Sequence, residues 1–223
     1  MNDLREDVAL ANRIAEREGL VTAFGHVSAR IPGTDTFLLP PRAAPGLATP
    51  ESLLVLDIEG NLLEGVGVPN TEHWIHARIY AARPEVGAVA HVHAPACVVI
   101  SQLGRRVQPL HNTGALPGKT PVYERAGLIR TKELGDAVAA QLGGAAAMLL
   151  RGHGANTVAP DVRTAIVLAC LLEESARLQI DALAAAGGDA GRICFFDDEE
   201  TRRLREELGE AAIARAWEYY SSR

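Results

Sequence analysis

The sequence predicts an α/β protein of three layers, in which helices cover both faces of a central, largely antiparallel sheet. Short apolar segments of strand length come in runs and are interleaved with segments whose apolar residues recur at helical spacing. The 223 residues, 48% of them apolar, suffice for one substantial core. No shift in composition marks a boundary, so a single domain is expected over 1–223.

The N-terminal segment "MNDLREDVALANRIAEREGL" is charged and amphipathic, which predicts a helix over about 3–18 rather than a signal peptide. Strands are expected at about 26–31, 36–40 and 53–58. Asn70 or Thr71 can cap a helix at 71–83, where Trp74, Ile75, Ile79 and Ala82 recur at helical spacing until Arg83-Pro84 ends it. A buried strand follows at 86–93, then a helix at about 95–102. "VQPLHN" is a short strand or extended entry into a loop at 111–119. Next come a helix at about 131–142, strands at 145–151 and 155–158, and a long helix from the N-cap Asp161 to about Ala186, which Gly187-Gly188 stops. A terminal helix over 197–218 has acids at its start and arginines further in, as the helix dipole favours.

Two of these strands deliver histidine at their exits. "HVHAP" supplies His91 and His93, which alternation along a strand points the same way, and "LLRGHGANTV" supplies His153. Neutral imidazole is the commonest protein metal ligand, and three protein ligands with an open position characterise a catalytic metal site. With seven histidines in the chain, one His-x-His pair also arises by accident. Glu72 lies in the first turn of the helix that feeds the His91 strand, where an acid also serves simply to complement the helix dipole. His76, one turn on, is expected to hydrogen-bond the Glu72 carboxylate, and His73 to be exposed and structural.

Glu72 before an H-x-H strand, His153-Gly154 after an apolar strand, and "GHVSAR" (Gly25 to Arg30) stand in the order found in the class II aldolase/adducin family, which the chain resembles from about residue 4 to 186. The resemblance implies that His91, His93 and His153 hold one divalent metal per subunit and that Glu72 is the catalytic acid/base. Zinc, manganese or iron(II) suits such nitrogen-rich ligation. A cation bridging adjacent substrate oxygens stabilises the enolate or enediolate that forms when a neighbouring bond breaks, which serves both decarboxylation and aldol cleavage. The chain departs from L-fuculose-phosphate aldolases at the phosphate cradle, with His26, "LPPRAAPG" and Asn70-Thr71 in its place. It looks closer to the branch containing a hydroxymethylpyridine-dicarboxylate decarboxylase.

The expected activity is therefore that of a metal-dependent lyase on a non-phosphorylated, carboxylate-bearing small molecule. His26 and Arg42 are candidate carboxylate ligands, an imidazole beside a planar guanidinium fork. Asn70, Thr71 and His111 are further substrate-binding candidates; the structural alternatives are a turn histidine at 26 and a surface loop arginine at 42. A sugar-phosphate aldolase or epimerase, and an adducin-like interaction module without metal, are the competing readings. The resemblance also implies a homotetramer with its site at the subunit interface, for which Tyr219 and Tyr220 are candidate lid residues; the alternative is that the tail packs on its own subunit.

A net charge of −6 without a basic stripe argues against nucleic acid as a partner. No run reaches membrane-spanning length. Three scattered cysteines without C-x-x-C spacing fit reduced thiols in a cytoplasm.

Overall fold

The computed structural model describes residues 2–223, with side chains from Asp3 onward. Eight strands form one sheet: β1 (His26–Arg30), β2 (Thr36–Leu39), β3 (Leu54–Asp57), β4 (Leu62–Glu64), β5 (Ala88–Val92), β6 (Val122–Tyr123), β7 (Ala147–Leu150) and β8 (Gly154–Ala159). Their spatial order is β4-β3-β2-β1-β5-β8-β7-β6, antiparallel throughout except for the β6/β7 pair. Six α-helices accompany them: α1 (Asn2–Arg17), α2 (His73–Ala82), α3 (Pro95–Gln102), α4 (Lys132–Leu142), α5 (Val162–Ala185) and α6 (Asp198–Ser221). The expected three-layer α/β architecture is the observed one.

Alternation along β5 assigns the two cores. Ala88, Ala90 and Val92 join the core beneath α1, α3 and α5, which includes Val8, Ala11, Ile14 and Ala15 of α1 and Ala165, Ile166, Ala169 and Leu172 of α5. Val89 belongs to the opposite core, where Ile75, Ile79 and Tyr80 of α2 and Val138 and Leu142 of α4 pack on the sheet. His91 shares that second face, so the strand's polar side chain points toward α2 and away from the dominant core.

Most element boundaries fall within about two residues of expectation, the α3 and α5 boundaries most closely. Asp161 caps α5 by accepting from the Thr164 amide, and Thr131 caps α4 through the Leu134 amide. Strands β4 and β6 were not anticipated. The first is fully exposed at the sheet edge and carries no alternating burial; the second is only two residues long. Helix α2 begins at His73, two residues later than the sequence suggests, because Asn70 spends its side chain on the Glu72 amide in a tight turn and leaves Glu72 at the N-cap position. The terminal helix runs to Ser221 and is interrupted at Gly209, whose positive φ breaks the helical path.

Gly154 opens β8 immediately after His153, and a side chain there would meet the Val92 carbonyl oxygen at 2.0 Å and the His93 α-carbon at 2.9 Å. The absence of a Cβ therefore lets the His153 turn close against the end of β5. Because both obstacles are backbone, the Gly154→Ala protein is expected to lose about 1–3 kcal/mol by overpacking, measured as a lowered chemical-denaturation midpoint. Wild-type stability in that variant would mean that the two strand ends are not held in this close contact.

Candidate active site

Antiparallel pairing of β5 with β8 builds the site. His91 lies opposite Asn156, and the β7–β8 turn returns His153 to the end of β5, beside His93. Glu72 enters from the start of α2. One ligand atom from each of Glu72, His91, His93 and His153 falls within 4.8 Å of all the others. The Nε2 atoms of His91 and His93 are 3.2 Å apart, and Glu72 Oε2 lies 3.4 Å from His153 Nε2 and 3.9 Å from His91 Nε2. Nitrogens bound at about 2.0–2.1 Å to a tetrahedral metal stand about 3.4 Å from one another, so this spacing is that of a ligand set.

The surroundings prepare each group for that role. His91 Nδ1 and Asn156 Oδ1 are 2.8 Å apart, and because a carbonyl oxygen only accepts, the ring hydrogen sits on Nδ1 and leaves a lone pair on Nε2. Burial, reinforced by repulsion from His26 and His153, keeps the His91 imidazole neutral well below its ordinary range; burial and His153 lower His93 to about 4. Glu72 accepts from the Ile129 amide at 2.8 Å. Burial pushes its carboxyl up, but His153, His91 and that amide outweigh burial and hold the group below the usual carboxylate range. Both ring nitrogens of His153 are buried without a hydrogen-bond partner. Such an omission is costly in an apolar sheet and is relieved by a cation, so the donor set fits a divalent metal.

The family model described as Class II Aldolase and Adducin N-terminal domain matches residues 6–180. The chain belongs to this family. It is 32% identical to a 3,4-dihydroxyphthalate decarboxylase of Rhodococcus jostii, an alignment covering 93% of this chain and 91% of that protein. It is 28% identical to the decarboxylase tropJ of Talaromyces stipitatus over 93% of this chain and 88% of the other. Among solved structures, an L-fuculose 1-phosphate aldolase from Glaciozyma antarctica superposes with a TM-score of 0.83 at 27% identity, covering 99% of this chain and 88% of that one. With decarboxylases and aldolases as its relatives, this class II aldolase-family protein is a lyase.

The structure brings His91, His93, His153 and Glu72 together, and it redistributes several other candidates. His76 does not bond Glu72. It turns inward, placing Nε2 2.6 Å from His26 Nδ1 and Nδ1 2.6 Å from Ser28 Oγ. His26 is buried opposite His91, with ring centroids 5.1 Å apart. Arg42 is exposed, and no hydrogen bond of its guanidinium occurs among the described residues. Its loop is nevertheless tied by the Arg42 amide to the Val68 carbonyl, next to the segment that carries Asn70.

Asn70 closes the turn below Glu72, and Thr71 is exposed. His73 is half-buried rather than exposed, because its Nδ1 lies 2.7 Å from the Asn70 carbonyl and its ring packs on Trp74. His111 is engaged by Ser175 at 2.8 Å and Thr113 at 3.2 Å. The tail packs on its own subunit: Tyr220 lies against Cys170 and Trp217 beneath Arg163, while the exposed Tyr219 pairs with Arg223.

Asn156, Ser28 and Tyr80 escaped the sequence reading. The polar pair Asn156-Thr157 inside the buried strand β8 was the available signal for Asn156. Removing its carbonyl in Asn156→Ala is expected to weaken metal binding about 10–100-fold, the usual scale for a ligand's orienting partner. Titration against a chromophoric chelator checks this, and unchanged affinity would assign Asn156 to packing alone.

Proposed function

We propose that the protein is a divalent-metal-dependent carbon–carbon lyase acting on a non-phosphorylated substrate that carries a carboxylate beside adjacent oxygens, by decarboxylation or retro-aldol cleavage. The observation that carries this reading is the convergence of three imidazoles and the ionised Glu72 carboxylate, with both His153 ring nitrogens lacking a hydrogen-bond partner. Zinc, manganese or iron(II), one per subunit, suits that donor set. When bound, the cation supplies Lewis-acid stabilisation of the substrate oxygens where negative charge develops.

The residues do the rest. Glu72 is ionised at neutral pH, so it first accepts a proton from a substrate hydroxyl and then returns it to the carbon that loses carbon dioxide or a carbonyl fragment. His26 lies against His91 and Asn70 closes the turn below Glu72, and with His111 and Thr71 they are the candidate substrate contacts. Arg42, unpaired on its loop, is suited to a carboxylate. The decarboxylase relatives support the carboxylate reading; the L-fuculose 1-phosphate aldolase fold neighbour favours a sugar phosphate as the second reading.

Assembly into a homotetramer with the site at subunit boundaries is part of the proposal. Leu62, Leu63, Val66 and Val68 are exposed on and just after β4 at the sheet edge, more apolar surface than a solitary edge strand favours. Since the tail packs on its own subunit, a lid role for Tyr219 and Tyr220 requires a neighbouring site. No described helix is long and apolar enough to cross a membrane.

His91→Ala, His93→Ala and His153→Ala are each expected to abolish stoichiometric metal by elemental analysis, whereas His73→Ala retains it. Full metal occupancy in all three ligand variants would remove the assignment. Glu72→Gln should keep metal and fold while turnover falls by at least about 100-fold, the scale of a lost proton shuttle. Near-normal turnover would leave Glu72 a structural residue. For the substrate, hydroxylated aryl carboxylates should stabilise the metal-loaded protein in thermal shift more than dihydroxyacetone phosphate does, and Arg42→Lys should raise KM because a point charge does not reproduce a planar fork. The reverse order of stabilisation favours the sugar-phosphate reading.

A further inference from the structure

A second set of buried polar groups runs away from the metal cluster between α2 and β1. Tyr80 Oη lies 2.7 Å from Ser28 Oγ, Ser28 Oγ 2.6 Å from His76 Nδ1, and His76 Nε2 2.6 Å from His26 Nδ1. All four residues are buried, and His26 stands across the β1–β5 pair from His91. The proton bookkeeping of the cluster chemistry uses none of Tyr80, Ser28 or His76.

Each of the two buried rings, in its neutral form, carries one hydrogen. The chain thus has four hydrogens and three links. If His26 donates from Nδ1 and His76 from Nδ1, Ser28 receives a hydrogen from His76. Either the Ser28 hydrogen or the Tyr80 hydrogen is then left buried without an acceptor. An unsatisfied buried donor costs about 1–3 kcal/mol.

The opposite direction leaves no such orphan. Tyr80 donates to Ser28, Ser28 to His76 Nδ1, and His76 Nε2–H to His26 Nδ1. The phenol is also the strongest acid of the neutral groups and the natural head of a donor chain. Among the described residues Ser28 Oγ is the one hydrogen-bond partner of the Tyr80 hydroxyl, so the phenol hydrogen has no other acceptor.

We propose that Tyr80, Ser28 and His76 are positioning residues that fix His26 in the tautomer with its hydrogen on Nε2, so that His26 presents an N–H donor to a substrate oxygen beside the metal cluster. Successive bonds in such a chain polarise one another, which strengthens the terminal donor. In the absence of substrate, the Asn70 side chain lies within its reach. The inference rests on the proposed lyase reading only for the identity of the oxygen that accepts; the tautomer itself follows from the hydrogen count.

Nitrogen-15 NMR of the full chain labelled on histidine, metal-free and zinc-loaded, tests it. The His26 signals are assigned by their loss in His26→Asn. Expected are a protonated Nε2 and an unprotonated Nδ1 for both His26 and His76, and an upfield move of the His26 Nε2–H proton in Tyr80→Phe, which keeps the ring that packs on Phe37. A hydrogen on His26 Nδ1 overturns the proposal, and an unmoved proton in Tyr80→Phe removes Tyr80 from it.

Addition of 3,4-dihydroxybenzoate to the zinc-loaded protein should shift the His26 Nε2–H proton downfield as a new acceptor engages it. Bound probe with that proton unmoved overturns the donor role. A protonated Nε2 together with failure of the probe to bind supports the tautomer and overturns the carboxylate reading of the preceding subsection instead.

Discussion

The pairing of β5 with β8 is the constraint on which the site depends. It places His91 against Asn156 and brings the His153 turn back beside His93, so four polar groups meet at the end of an otherwise apolar sheet. Buried imidazoles and a buried carboxylate are expensive unless each finds a partner. Two of them find one in the protein, through Asn156 and the Ile129 amide, while both His153 nitrogens do not. The fold thus leaves an unsatisfied polar demand at the His153 ring. A divalent cation is the group that meets it while keeping a face open to substrate.

The two faces of the sheet divide the labour. Beneath α1, α3 and α5 the core is aliphatic, built from small residues on β5 and from a 24-residue helix whose inner face is apolar almost throughout. That side supplies the burial that holds the strands in register. The α2 side admits His91, His26, Ser28, His76 and Tyr80, and each of these side chains is placed by at least one hydrogen bond rather than by packing alone. The polar groups buried on the opposite face, Asn12 and Glu173 among them, are satisfied by backbone partners there and make no demand on the site.

Much of this was legible in the sequence because it is local. Alternation put His91 and His93 on one side of a strand, Asp161 announced α5, and the apolar run before His153 announced β7. What escaped is long-range. Nothing near Ser28 in the chain indicates that it faces His76, and the expectation that His76 serves Glu72 followed helical spacing alone, whereas the sheet offered it two nearer partners. The same limit applies to Arg42 and His26. His26 opens β1 and Arg42 follows the end of β2, so their relation is set by the β1–β2 pairing, not by sequence distance. Strand β4 was missed because its burial does not alternate, and an exposed edge leaves no period to read.

Helix α2 joins the two polar systems. Glu72 at its N-cap, His76 and Tyr80 follow one another at intervals of four, so they descend one stripe of the helix, and all three are buried. The upper member faces the metal ligands and the lower two complete the chain that ends at His26. Any rotation of α2 about its axis would move the carboxylate and the relay together, in register with one another. Such motion is opposed by Ile75 and Ile79, fully buried on neighbouring positions of the same helix, and by the Arg78 side chain, which ties the helix to Asp136 on α4 and to the Ile58 carbonyl beyond β3. The geometry of the reacting groups therefore rests on aliphatic packing and a peripheral ion pair outside the site, which is why the positions most sensitive to substitution need not be those that touch substrate.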